Sequence, residues 1–369
     1  MSDKIVYLKQ IDSLRALAIL MTLCIHWVPD SGITTRIPYM HLGVDLFFTI
    51  SGFLITSILL KTKVSYPKPN KFIVIKNFII RRSLRLFPIY YLFLLSFVLL
   101  SATTGFWLWK KGYGINYFTY TSNILFYLKG LQSKLFNHTW SLGVEEQFYL
   151  LWPWLVVFLP LNIFKKVILV FISIGIFSYL YYYIIHTEII PVDQTSKIRM
   201  LPFSNFHTLG AGALLAYLWL YCKSNKLFDH FINFAKVYLL ISIIIFVFLY
   251  ENNVLFSLPI ALIYSMRETF LSVVLFFLLL STIIGWKGLI GVAVDNSCVQ
   301  YIGRISYGIY LYHKPVPFLL SLFILKLGLN VHNSFVLILS YIIITVLIAT
   351  LSYKYIEKPF LNLKRKFDS

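Results

Sequence analysis

Long apolar runs recur along the whole chain, separated by short polar segments in which basic residues predominate. Runs of this kind predict helices that cross a bilayer. In order they cover residues 11–29, 43–60, 86–103, 140–163, 167–185, 203–221, 237–250, 268–284, 302–320 and 335–355. The segment 61–85 holds eight Lys or Arg and no acid, which places it on the cytoplasmic side. Lys4 and Lys9 put the N-terminus there too, and ten crossings return the C-terminus to the same side. Two shorter apolar pieces, 115–128 and 254–264, are read as re-entrant or interfacial, and a full crossing by either would change the count. The pattern therefore predicts an all-α, polytopic integral membrane bundle of about ten helices. It forms one transmembrane domain over residues 1–369, with a helical core at about 11–356.

Composition agrees: 59% of the 369 residues are hydrophobic and 13% charged. The net charge of +19 follows loop topology, since no basic domain stands apart from the apolar runs, so nucleic acid is not an expected partner. Cys24, Cys222 and Cys298 have no paired spacing, which indicates neither a disulfide framework nor a zinc site. No HExxH, phosphate-binding glycine loop, GxSxG elbow or metal-ligand cluster is present.

The first run carries the most informative chemistry. Arg15 and His26 are eleven residues apart, which at about 100° per residue is three turns plus roughly 20°. Both side chains share one helix face, about 16 Å apart along the axis. That separation accommodates an extended thioester arm, with its polar head at one end and its reactive end at the other. Ionisable groups at membrane depth are costly and mark function by default. Two plainer readings stand beside this one: Arg15 pairing with Asp12 on the same helix, and His26 as an interfacial histidine.

Asp45 and Glu145 fall near the predicted depth of His26. A carboxylate beside an imidazole fixes its tautomer and stabilises its cation, as a general base requires. The alternatives are that Asp45 satisfies backbone donors near Gly43, and that Glu145 and Glu146 favour a helix N-terminus capped by Thr139 or Ser141. Arg82 and Arg85, three residues apart, present one face at the inner depth and suit phosphate, although inward-facing positive charge is also expected there. Arg304 and His313, nine residues apart in the run 302–320, fall on opposite faces of a continuous helix, so His313 reads mainly as structural. His41 and His138 lie in outer loops and read as solvated.

Several ordered pieces carry a resemblance: IDSLRALAILMTLCIHW, GVDLFFTISGFLIT, RRSLRLFPIYY, HTWSLGVEEQFYLLWP, ISYGIYLYH and YIEKPF. Together, over about residues 11–360, the chain resembles membrane acyltransferases of the acyltransferase-3 type, which O-acylate cell-envelope glycans. The resemblance implies transfer of an acyl group, often acetyl, from cytoplasmic acyl-CoA to an extracytoplasmic glycan or lipid-linked sugar, in a bacterial cytoplasmic (inner) membrane. It assigns His26 and Glu145 to catalysis and Arg15, Arg82 and Arg85 to acyl-CoA, with Asp45, Ser141 and Tyr149 supporting and no metal. Some members carry a further extracytoplasmic domain, and this chain is read as the short form. The expected mechanism is direct attack on the thioester, with an acyl-His26 intermediate as its variant. The rival classes are a transporter with a buried charged path and a non-catalytic scaffold of an envelope-synthesis complex.

Overall fold

A computed structural model describes residues 9–28, 42–65, 70–104, 109, 112–130, 133, 135–186, 197–251, 259–328 and 334–367. Among them every regular element is helical, and the chain is an all-α polytopic membrane bundle. Among the described residues five helices are long and apolar enough to cross a membrane, or seven if each of two bent pairs is one span. The expected count of ten is therefore not reached by this criterion. The helices over the first, fourth and sixth expected crossings are α1 (Lys9–Trp27), α6 (Thr139–Phe158) and α8 (Phe206–Tyr221). The first two are diluted by the polar residues of interest, Arg15 and His26 in one and Glu145 and Glu146 in the other, and α8 has only 16 residues.

The expected loop at 61–85 is mostly helix. Helix α2 runs Leu42–Ser65 and α3 runs Lys71–Thr104, 34 residues with Pro88 inside. Asn70 explains the early start of α3: its Oδ1 accepts from the backbone N–H of Phe72 at 3.1 Å and Ile73 at 3.3 Å, an N-cap. Nothing between Lys71 and Pro88 breaks a helix, so the basic residues ride on it. The piece expected at 115–128 forms two short helices, α4 (Gly114–Phe118) and α5 (Ser122–Lys129). Neither is long enough to cross. Part of 254–264 lies outside the described residues, and its remainder joins α11 (Ile260–Ile284). The run 302–320 is broken into α13 (Ser297–Arg304), α14 (Ser306–Tyr312) and α15 (Pro315–Lys326).

The chain divides into two compact units. The first comprises Met1–Leu14, Asp45–Ile75 and Gln147–Gln300. Its core is formed by α7 (Leu161–His186), α8, α10 (Ala235–Glu251) and α11, with residues of α2 and α6. A Cβ on Gly212 would collide with the carbonyl of Thr49, so only glycine lets α8 meet α2 backbone to backbone. Trp152 is fully buried, and its Nε1 donates to Thr56 Oγ1 at 2.8 Å.

This unit also buries a set of ionisable groups. Arg199 pairs with Asp45, which is 1% exposed. His207 Nε2 and Glu268 Oε2 lie 3.1 Å apart. Arg267 donates from Nε to Leu249 O and from Nη2 to Tyr250 O, each at 2.9 Å, and its guanidinium lies over the rings of Tyr250 and Tyr264.

The second unit comprises Arg15–Val44, Lys76–Glu146 and Tyr301–Ser369. Its core is aromatic: Tyr90, Phe93, Tyr117, Phe126 and Phe136 are almost wholly buried. Tyr90 and Tyr91 on α3 donate to Tyr117 O at 2.8 Å and Phe118 O at 3.0 Å, fixing α4. Helix α14 packs on α16 (Ser334–Ser352), which ends in a π-helical turn, Tyr353–Glu357.

Candidate functional site

The site begins with α1, which is uninterrupted from Lys9 to Trp27, so the alignment of Arg15 with His26 holds. Burial shows which way that face points. Ile19 and Thr22, four and seven residues beyond Arg15 and on its side, are 1% and 4% exposed. Leu17 and Leu20, on the opposite side, are 42% and 57% exposed. The middle of the Arg15–His26 face is therefore turned inward, with Arg15 half-buried and His26 exposed at its two ends. Gly43 lets the chain approach this face: a Cβ there would collide with the Ala18 carbonyl and come within 2.7 Å of Thr22 Oγ1.

At the His26 end three imidazoles meet. His26 stacks on His313, with centroids 5.1 Å apart and planes 28° apart. His138 meets His313 edge to face, also at 5.1 Å. Two sequence expectations are corrected here. His138 is not a solvated loop residue but 3% exposed, covered by Phe93 and Tyr310. His313 is not set aside on the far face of one helix. The chain turns at His313–Lys314, between α14 and α15, where the two axes differ by 46°. That turn delivers the ring to His26.

The hydrogen bonds fix the state of His313. Its Nδ1 contacts the carbonyl of Tyr310, which only accepts, so Nδ1 carries the proton. Nε2 is buried and makes no hydrogen bond. Trp27, next to His26, donates its indole N–H to His313 O at 2.9 Å. The Tyr310 and Ser141 hydroxyls share a short hydrogen bond beside His138 O, to which the other of the two protons is donated. Both ring nitrogens of His138 are buried, with the carbonyls of Leu135 and Leu311 beside the ring but outside good hydrogen-bond geometry. Burial, followed by the nearby charges of Lys314 and His26, holds the His138 imidazole well below the usual histidine range.

The carboxylates sit one step away. Glu145, half-buried on α6, is an electrostatic neighbour of Tyr310 and so of the histidine cluster. Glu146 lies near Glu145 and Arg82, and one of its oxygens makes no hydrogen bond. Arg82 also lies over the ring of Phe78. Tyr120, at the break between α4 and α5, has φ +55°, a left-handed backbone rare for a side chain of this size, and stacks on Tyr90 at 4.2 Å. It too lies near Glu146. Arg85 is half-buried and makes no hydrogen bond or ion pair among the described residues. The acid closest to it electrostatically is Glu357, 4% exposed in the π-helical turn, with one oxygen unpartnered.

The remaining expected residues fall as follows. Thr139 donates to the carbonyl of Phe136 and the Ser141 hydroxyl lies against that of His138, each three residues earlier, rather than capping α6. Asp45 and Tyr149 belong to the first unit, Asp45 paired with Arg199 and Tyr149 donating to Ser51 Oγ at 3.3 Å. His41 lies outside the described residues. Among the described residues no group of three or more His, Cys, Asp or Glu is arranged to hold a metal; the three imidazoles meet ring on ring.

The family described as an acyltransferase domain matches residues 8–354. The chain belongs to the acyltransferase-3 family. Among its curated relatives, peptidoglycan O-acetyltransferase OatA of Listeria monocytogenes is 31% identical, the alignment covering 96% of this chain and 56% of that protein. Putative peptidoglycan O-acetyltransferase YrhL of Bacillus subtilis is 30% identical over 96% of this chain and 55% of its own length. A putative O-acetyltransferase of Staphylococcus aureus strain COL is 28% identical over 97% and 58%. The chain thus spans little more than half the length of the curated relatives it matches. No solved structure matches this acyltransferase-3 chain.

Proposed function

We propose that the chain is a membrane O-acyltransferase that moves an acyl group, acetyl in the simplest case, from acyl-CoA to a hydroxyl of a cell-wall glycan. The observation that carries this reading is the inward face of α1, with a guanidinium at one end and, about 16 Å away, an imidazole set in a histidine cluster. Arg85, which makes no hydrogen bond or ion pair among the described residues, and Arg15 receive the phosphates of coenzyme A, with Arg82 shared between them and Glu146. The pantetheine arm runs along α1 towards His26. His26 takes the proton of the acceptor hydroxyl, and the oxygen attacks the thioester carbonyl carbon. The carbon–sulfur bond then breaks, and the proton passes to the coenzyme A sulfur. Glu145 orients the histidine cluster through Tyr310 and Ser141. The donor binds from the cytoplasm and the acceptor from the outer side of a bacterial cytoplasmic membrane. Relatives named as peptidoglycan O-acetyltransferases support the acceptor class.

The test is to delete the gene, find which envelope glycan loses an ester, and restore it with the wild-type chain but not with His26→Ala. Full restoration by His26→Ala would refute the catalytic role. Solute uptake by proteoliposomes without acyl-CoA would favour a transporter instead.

A further inference from the structure

His313 is held from three directions, which a residue that merely fills space does not require. Trp27 fixes its carbonyl at 2.9 Å, the Tyr310 carbonyl fixes its Nδ1–H, and His138 closes on its edge at 5.1 Å. It is wholly buried, whereas His26, stacked on its face, is exposed. The His313 ring is anchored inside the protein, and the His26 ring lies against it at the protein's surface. Two stacked imidazoles do not exchange a hydrogen bond through their faces. A neutral ring face does limit the rotamers of its neighbour and attracts a cation placed over it. The other polar groups beside His313 are His138, Lys314 and the Tyr310 hydroxyl, with Glu145 beyond Tyr310. The His313 tautomer is fixed by a backbone carbonyl.

Resting on the reading of His26 as the base, we propose that His313 is a positioning residue: a fixed aromatic platform that orients the His26 ring for the acceptor hydroxyl and supports it once it has taken the proton. The role lies in the face of the ring, not in Nε2.

Two variants separate face from nitrogen. His313→Asn keeps a donor for the Tyr310 carbonyl and removes the ring. His313→Phe keeps the face and removes the nitrogens. The full chain is reconstituted in nanodiscs and assayed with acetyl-CoA and purified peptidoglycan strands. His313→Asn is expected to lower kcat about tenfold, the size of one aromatic pairing, with KM for acetyl-CoA within about twofold. His313→Phe is expected to stay within about threefold of wild type, well short of a full pairing lost. The second readout needs no turnover. With ring-labelled histidine, and the His26 signal assigned by its loss in His26→Gln, His313→Asn shifts the His26 ring resonances downfield as the stacked ring is lost. His313→Phe retains the upfield position.

Equal loss in both variants, with the Phe protein folded, would overturn the platform and give the role to Nε2. Wild-type kcat and unmoved His26 resonances in His313→Asn would overturn any positioning role. If His313→Phe does not fold, the Asn variant and its spectrum decide alone. If the wild-type chain transfers no acetyl group, the functional reading fails, while the His26 resonance still reports whether His313 holds that ring.

Discussion

The two units both bury ionisable side chains, and they treat them differently. In the first, three buried groups are tied to protein partners, Asp45 to Arg199, His207 to Glu268 and Arg267 to two backbone carbonyls, while Asp12, Arg199 and His207 each keep one atom without a hydrogen bond. In the second, Glu146 and Glu357 each keep an oxygen without a hydrogen bond, and Arg85 has neither hydrogen bond nor ion pair among the described residues. Buried polar groups are normally satisfied because leaving one unmade costs about 1–3 kcal/mol. The pairs of the first unit join its helices, whereas the open groups of the second, Glu146 and Arg85 among them, lie at the proposed site.

This contrast can be broken by experiment. The largest effect is expected at His26: His26→Ala should lower acyl transfer roughly 100- to 10,000-fold, the span of one general base, with the protein still folded. It is checked by coenzyme A release with acetyl-CoA and peptidoglycan strands. A variant that keeps its rate would move the chemistry out of the second unit.

Next is Asp45→Ala, which strands a charge on Arg199 in the first unit and should destabilise the fold by about 3 kcal/mol. Asp45→Leu combined with Arg199→Met should recover most of that loss, as read from thermal unfolding in detergent. No recovery would mean that the pair does more than hold the fold.

Arg85→Gln should raise KM for acyl-CoA about tenfold with little change in kcat, the size of one charge-assisted hydrogen bond to phosphate. A change in kcat alone would sever Arg85 from donor binding.

The smallest effect is in the pH dependence of stability. Because burial lowers the folded-state pKa of His138, stability is whole above about pH 6.5. It falls as pH drops towards that lowered value, where the unfolded chain binds the proton that the folded chain refuses. His138→Gln should flatten this part of the profile between about pH 6.5 and pH 5, as measured by unfolding midpoints at each pH.

Some of this was legible in the sequence, and particular residues show why. The shared face of Arg15 and His26 follows from one uninterrupted period, and α1 has no break to spoil it. The start of α3 was missed because eight basic residues suggested a loop, whereas Asn70 within PKPNKF was available as an N-cap. His313 was misplaced because the face argument assumed one straight helix over 302–320. Pro315 and Pro317 immediately after it were the local warning that the helix would turn. The partners of His138 and Glu146 were not legible, since they come from segments far apart in the chain. Glu357 had one signal, an acid within a strongly apolar C-terminal stretch, but its proximity to Arg85 needs the fold.

Helix α3, with 34 residues, is about 51 Å long, against roughly 30 Å of bilayer hydrocarbon. Its apolar part begins at Leu86, so Arg81, Arg82 and Arg85 stand on a stiff extension of a membrane rod rather than on a swinging strap. A visiting polyphosphate would dock on a comb whose teeth are already spaced, with no backbone ordering left to oppose capture.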